Sequence, residues 1–286
     1  MLSYRHGFHA GNFADVHKHV TLVLLLESLL KKETPFCYID THAGAAMYNL
    51  QSGFAQKHRE FENGIGRLWH RGQVPPPVMS YLQLVAAMKN NRGARESPRY
   101  YPGSPALAKI LARPQDRMIL MELHPADFRL LKSYFARDRR ARVECRDGFE
   151  GLMAVLPPAE RRGLVLVDPA YEAGNELERL AGVLERAWRK WPTGVYAVWY
   201  PLQKGLPVRR FHRELRNAGA KKIFLCEINV VPDSGSNRLG GSGMIIINPP
   251  WQVDLKLEEA LAWLVPLLDR GTGLPPRCEW LVGEGR

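Results

Sequence analysis

The sequence predicts an α/β fold: a seven-stranded, mostly parallel sheet covered by helices on both faces and finished by an antiparallel terminal hairpin. Three observations predict it. Short apolar runs alternate with longer amphipathic stretches through most of the 286 residues, the pattern of strands connected by crossover helices. Several of these runs, such as Leu164–Val167, are apolar throughout, as strands buried on both faces are. The last two runs have only a loop between them, so they must pair antiparallel.

The elements follow in order. Asn12 or Asp15 can cap a first helix that runs to Lys32. Phe36–Ile39 is a short strand ending at Asp40. Residues 54–72 and 78–92 read as two helices split by Pro75-Pro76-Pro77, which cannot continue a helix. Met118–Met121 is a strand ending at Glu122, and a helix follows from Pro125 to Arg137. Ala141–Cys145 is a strand ending near Asp147, before a short helix over 148–156. Leu164–Val167 ends at Asp168, before a helix over 175–190. Val195–Trp199 precedes a basic helix over 207–218. Lys222–Val231 and Met244–Asn248 are the last two strands and flank a Gly/Ser-rich loop, Asp233 to Gly243. This order is that of a Rossmann-like class I methyltransferase sheet. The chain reads as one domain, 1–286, with a small helical insertion subdomain over 47–103.

Composition narrows the function classes. Hydrophobic residues make up 45% and charged residues 24%, which excludes disorder for most of the chain. The net charge is +11, which points to an acidic partner such as nucleic acid. Residues 249–286 hold 4 basic and 6 acidic side chains, so residues 1–248 carry +13. The excess gathers in three blocks: 47–103, 129–146 and 204–222. Cys37, Cys145, Cys226 and Cys278 are far apart and form no C-x-x-C pair, which argues against a disulfide framework and a cysteine zinc site. The apolar stretch Val20–Leu30 is too short for a membrane span and is interrupted by Thr21, Glu27 and Ser28. The N-terminus opens with Tyr4, Arg5, His6 and His9 rather than a signal peptide. A cytoplasmic protein with no membrane attachment is expected.

In an open parallel sheet, ligands bind beyond the carboxyl ends of the strands. The first four predicted strands end in Asp40, Glu122, Asp147 and Asp168. The first turn, Asp40-Thr41-His42-Ala43-Gly44-Ala45-Ala46, lacks the G-x-G-x-x-G fingerprint of a nicotinamide or flavin site. Its D-x-x-x-G form suits S-adenosyl-L-methionine, which has no pyrophosphate to cradle. Glu122 is placed to accept from two ribose hydroxyls. Asp147, followed by Gly148, can accept from an adenine amino group. Asp168-Pro169-Ala170-Tyr171 resembles the [DNS]-P-P-[YFW] signature of methyltransferases acting on exocyclic amino groups. An adenine N6 lone pair is delocalised into the ring. The Asp168 carboxylate and Pro169 carbonyl can bond both N6 hydrogens, and Tyr171 can stack on a flipped-out base. Asn248-Pro249-Pro250-Trp251 matches that signature more closely, but it ends an antiparallel strand and so points to the opposite rim. His6, His9, His17 and His19 lack metal-ligand spacing, and no metal is expected. Lys18 and His19 are placed to approach the cofactor carboxylate, and Tyr4 and His6 to approach the base.

With these residues in view, the chain resembles the RlmJ family, adenine-N6 methyltransferases of 23S ribosomal RNA. The resemblance rests on Met1–His6, Phe8–Asn12, Asp15 with Lys18-His19, Asp40–Ala45, Tyr100–Pro105, Glu122–Pro125, Asp147–Phe149, Trp199–Pro201 and Asn248–Trp251. It implies a monomeric enzyme that uses S-adenosyl-L-methionine and carries a helical insertion. It implies cofactor contacts at Lys18, His19, His42, Ser104, Glu122, Asp147 and Gly148, a catalytic acid at Asp168 and a substrate-contacting tyrosine at Tyr4. Two positions depart from the family pattern. Ala170 replaces the second proline of Asp-Pro-Pro-Tyr, which loosens Pro169 at a cost of about 0.4–1 kcal/mol. Ala46 replaces a glycine, which matters if the turn needs a positive φ there. A DNA adenine-N6 methyltransferase would share the same sheet and acids. The two alanines would also suit a nucleic-acid-binding protein whose catalysis has decayed.

Overall fold

A computed structural model describes residues 5–88, 91, 93–94, 97–171, 175–232 and 239–283. The chain opens with α1 (Phe13–Leu30), β1 (Cys37–Asp40), β2 (Met47–Asn49), α2 (Gly53–His58), α3 (Ile65–Leu68), α4 (Pro76–Ala86) and β3 (Tyr100–Pro102). It continues with α5 (Ser104–Leu111), β4 (Arg117–Met121), α6 (Pro125–Tyr134), β5 (Ala141–Glu144), α7 (Gly148–Val155), β6 (Gly163–Val167) and α8 (Glu176–Lys190). It closes with β7 (Val195–Leu202), α9 (Val208–Asn217), β8 (Ile223–Asn229), β9 (Gly241–Ile247), α10 (Val253–Leu268) and β10 (Arg277–Val282).

The main sheet runs β10-β8-β9-β7-β6-β1-β4-β5. β5, β4, β1, β6 and β7 are parallel neighbours, with Ile39 aligned to Ile119 on one side and Val165 on the other. β9 is antiparallel to both β7 and β8, as the terminal hairpin requires. The sheet has eight strands, not the seven predicted. The eighth, β10, pairs only with β8. An edge strand with alternating charged residues (Arg277, Glu279) carries little apolar signal.

Alternation along the strands divides the core into two layers. Tyr38, Leu120, Leu166 and Ile246 face α1, α4, α5 and α10. Ile39, Met121, Val167 and Ile245 face α7, α8 and α9. α1 is buried on nearly all sides, which explains why its Val20–Leu30 run is apolar all round without being a membrane span. Asn12 caps it, accepting from the Asp15 amide at 2.9 Å. Among the described residues no helix is long and apolar enough to cross a membrane.

Between β1 and β4 the structure departs from the two predicted helices. Residues 54–72 instead form α2, a 3-10 turn (Glu60–Asn63) and α3. Gly64 sets the break, because a Cβ there would lie 2.0 Å from the Gly11 carbonyl oxygen. The prolines open α4, which begins at Pro76, rather than merely separating helices. β2 and β3 form a two-stranded sheet of their own. The segment is fixed to α1 by a buried chain: His19 Nδ1 bonds the Tyr101 hydroxyl at 2.8 Å, and that hydroxyl bonds Tyr81 at 3.0 Å. Arg67 joins it to the end of α10 through the Leu267 and Asp269 carbonyls.

Candidate active site

The strand order places β1 between β4, its successor in the sheet order on one side, and β6 on the other. A crevice opens at the carboxyl ends of strands at such a reversal. Here it is a cavity of about 320 Å³. His6, Lys18, His19, His42, Ser104, Glu122, Asp147, Gly148, Asp168 and Pro169 all line it. Lys18 and Asp168, 150 positions apart, are thereby brought into contact.

Each acid has a different setting. Asp40 is fully buried and accepts from the Tyr38 hydroxyl and Ser104 Oγ, both at 2.7 Å. Burial pushes its carboxyl up to about 6. It does not line the cavity; it holds Ser104, which does. Glu122 accepts from the Gly44 amide at 2.8 Å and the His124 amide at 2.6 Å. Burial raises its carboxyl above the usual range, and those two amides offset part of the rise. Asp147 caps α7 through the Phe149 and Glu150 amides and pairs with Arg179 at 3.3 Å. Burial opposes its charge, but these amides and Arg179 outweigh burial and lower its carboxyl. Gly148 is required by close approach, because a Cβ there would lie 2.1 Å from the Thr41 carbonyl oxygen.

The fourth acid is the centre of a buried ion cluster. Lys18 Nζ donates to Asp168 Oδ2 and to Asp15 Oδ1, the latter at 2.9 Å. Asp15 Oδ2 also accepts from the Gly11 amide at 2.8 Å and pairs with His6 Nε2 at 2.9 Å. The Lys18 side chain is 6% exposed. Burial alone would depress its ammonium, but Asp15 and Asp168 raise it instead. For Asp15 burial is likewise overcome, here by His6 and Lys18, and its carboxyl falls well below the usual range. His42 and His19 have no such partner charge in full contact, and burial lowers them to about 4 and about 3. Both are therefore neutral donors or acceptors near pH 7.

The turn after β6 differs from expectation in one respect. Tyr171 does not line the cavity. It adopts a left-handed φ of +53°, donates its hydroxyl to the Trp199 carbonyl at 2.5 Å, and meets the Trp199 ring edge-on at 5.6 Å. Ala170 lines the cavity. Ala46 has φ +67°, the conformation that favours glycine, but it is fully buried and off the cavity wall. Tyr4 lies outside the described residues. Asn248-Pro249-Pro250-Trp251 ends antiparallel β9, with Asn248 tied to the Pro192 and Gly194 carbonyls. The motif stays clear of the cavity.

Sequence reading assigned no site role to Asp15, Trp199 or Arg179. Asp15 had a usable signal, its three-residue spacing from Lys18 on one helix face. Trp199, which holds Tyr171 from outside the cavity, stood only in the family-like stretch Trp199–Pro201, and Arg179, which lines the cavity through tertiary packing, had none.

The donor set fits a nucleoside with a charged amino-acid tail. Carboxylates stand at successive strand ends, and the first turn offers no row of glycine amides for a pyrophosphate. Among the described residues no cluster of His, Cys, Asp or Glu could hold a metal ion.

Comparison with known proteins agrees with this architecture. The family model described as "Ribosomal RNA large subunit methyltransferase D, RlmJ" matches residues 33–282. The chain is 44% identical over 285 residues to ribosomal RNA large subunit methyltransferase J of Escherichia coli (strain K12), covering 99% of this chain and 100% of that one. It is 42% identical, with the same coverage, to the protein of that name from Haemophilus influenzae. A crystal structure from Legionella pneumophila, 32% identical, superposes with a TM-score of 0.83 over 96% of this chain and 98% of that one. With a family model matched over most of its length and relatives aligned end to end, this chain belongs to the RlmJ family of ribosomal RNA large subunit methyltransferases.

Proposed function

We propose that this chain transfers a methyl group from S-adenosyl-L-methionine to N6 of one adenine in 23S ribosomal RNA. The observation that carries the proposal is the cavity that brings Asp168 and Pro169 together with Glu122, Asp147 and the Lys18 cluster. The bound cofactor supplies an electrophilic sulfonium methyl. Glu122 accepts the ribose hydroxyls, and Asp147 with the Gly148 turn receives the adenine. His42, Ser104, His19 and Lys18 hold the remainder of the cofactor. Lys18 engages Asp168 on Oδ2, leaving Oδ1 to accept one N6 hydrogen while the Pro169 carbonyl accepts the other. Bonding both hydrogens favours a tetrahedral nitrogen whose lone pair is available for attack. Tyr171 lies off the cavity wall with its hydroxyl on the Trp199 carbonyl, so its ring stacks on the flipped base only after turning toward the cavity. Tyr4 and His6 contact the substrate from the N-terminal side, and residues 47–103 act as a helical insertion that contacts RNA. The enzyme works as a cytoplasmic monomer without a metal.

Mass mapping of N6-methyladenine in 23S RNA from cells lacking the protein tests this. One site should lose its methyl group and regain it on complementation. An unchanged map, or in vitro transfer confined to DNA hairpins, would overturn the reading.

A further inference from the structure

A second surface lies beside the cavity mouth and is not used by the chemistry above. The 3-10 turn His6–Phe8 and helix α2 pack side by side. Phe8 and Phe54 meet edge to face at 5.0 Å, and the His9 and His58 rings lie nearly parallel (8°) at 6.4 Å. Two cations sit over the phenylalanines: Arg5 is 5.1 Å from the Phe54 ring centre, and Lys57 is 5.5 Å from that of Phe8. Phe54 is 45% exposed, with Arg5 over its ring. Lys57, His58 and Arg59 are also exposed. The nearby acids are engaged: Glu60 with His9, Glu62 with Arg59, and Asp127 with Arg5.

This surface is continuous with the cavity. Asp127 lines the cavity and pairs with Arg5 at 3.2 Å, and Arg5 in turn covers Phe54. His6 lines the cavity and is followed by Phe8 after one residue. Phe54 is exposed and Phe8 half-buried, and an aromatic pair at the surface with cations beside it is an arrangement that holds single-stranded nucleic acid, because every base has a π-face and every nucleotide a negative charge.

We propose that Phe54 and Phe8, with Arg5 and Lys57, form a stacking platform for an unpaired RNA base next to the adenine in the cavity. The choice of RNA as occupant rests on the function proposed above, whereas the stacking itself can be measured without any methyl transfer. A base unstacked from its neighbours when the adenine leaves the helix would regain a stacking partner here. The platform would thus reward the flipped state.

The test uses the full-length protein and two fluorescein-labelled decamers of equal charge, oligouridylate and an abasic ribose-phosphate chain, read by anisotropy. Wild type should prefer oligouridylate about tenfold. Phe54→Ala should lose that preference, and Phe54→Trp should restore it. Lys57→Ala should weaken both decamers alike. With a 23S RNA transcript, Phe54→Ala should raise KM about tenfold and leave kcat within about twofold. Thermal unfolding and calorimetry with S-adenosyl-L-methionine should be unchanged, because Phe54 is surface-exposed and off the cavity wall. Equal affinity of wild type for both decamers, or a Phe54→Ala variant that keeps its base preference, would overturn the platform. A fall in kcat at constant KM would do so too. Base preference without any transfer to 23S RNA would retain the platform and refute the enzymatic reading.

Discussion

Lys18 joins two carboxylates that the chain keeps far apart, and this link governs what each residue of the site can do. Asp168 is fixed by an ammonium that is itself fixed by Asp15. Asp168→Ala should abolish methyl transfer while cofactor affinity, read by calorimetry, stays within a few-fold. Loss of both together would make Asp168 a binding residue. Asp15 acts through Lys18 and should register in stability. Its carboxyl sits below the unfolded value near 4, so its contribution is present above about pH 4 and is lost as pH falls below that. Asp15→Asn should therefore cost about 3 kcal/mol at pH 7, as a broken buried pair does. The gap to wild type should close below about pH 4 in urea titrations. A gap independent of pH would show that the loss is packing and not charge. These roles were only partly legible beforehand. Acid residues at strand ends are visible as spacing, and Glu122, Asp147 and Asp168 line the cavity. Asp40 shows the limit: its position was clear, but burial and its bonds to Tyr38 and Ser104 make it a support for the cavity wall.

At the scale of elements, the turn after β1 and the edge strand β10 carry the clearest consequences. Ala46 occupies a left-handed conformation at a cost of about 1 kcal/mol. Ala46→Gly removes that cost but gives back unfolded-state entropy of about 0.4–1 kcal/mol. Stability should thus be unchanged or rise by less than about 1 kcal/mol, and cofactor affinity should not move because Ala46 is off the cavity wall. Tighter binding on calorimetry would show that its methyl crowds the ligand. β10 covers the free edge of β8, with Trp280 against Phe224 and Leu281 buried. A chain ending at Thr272 should lose several degrees of Tm and aggregate, since an uncovered edge recruits other chains. Scanning fluorimetry with light scattering checks both. Some elements were legible and others not, for identifiable reasons. The central parallel strands announce themselves as apolar runs, whereas the edge strand β5 reads Ala-Arg-Val-Glu. α10 repeats apolar residues at Val253, Leu257, Leu261, Leu264 and Leu268, a helical signal that a reading centred on the site passes over. α2 and α3 are too short for periodicity, and Gly64 breaks them for a reason that lies in Gly11, fifty-three positions earlier.

For the molecule as a whole, charge and architecture divide the work. The basic excess on residues 1–248 should make RNA binding strongly salt-dependent. About five phosphate contacts would lower affinity about a hundredfold between 50 and 200 mM salt. A flat dependence in filter binding would exclude the basic surface as the RNA contact. The sequence by itself determined the parallel strands and the β8–β9 hairpin, their alternation with helices, the acids at the strand ends and the charge, because each is set by local pattern along the chain. Only the tertiary structure decided which of these residues share a cavity. It seated Lys18 between Asp15 and Asp168, anchored Tyr171 on Trp199 and joined 47–103 to α1 through Tyr101 and Tyr81. Those contacts depend on long-range packing and on the desolvation that packing imposes, and neither quantity is written in the spacing of residues along the chain.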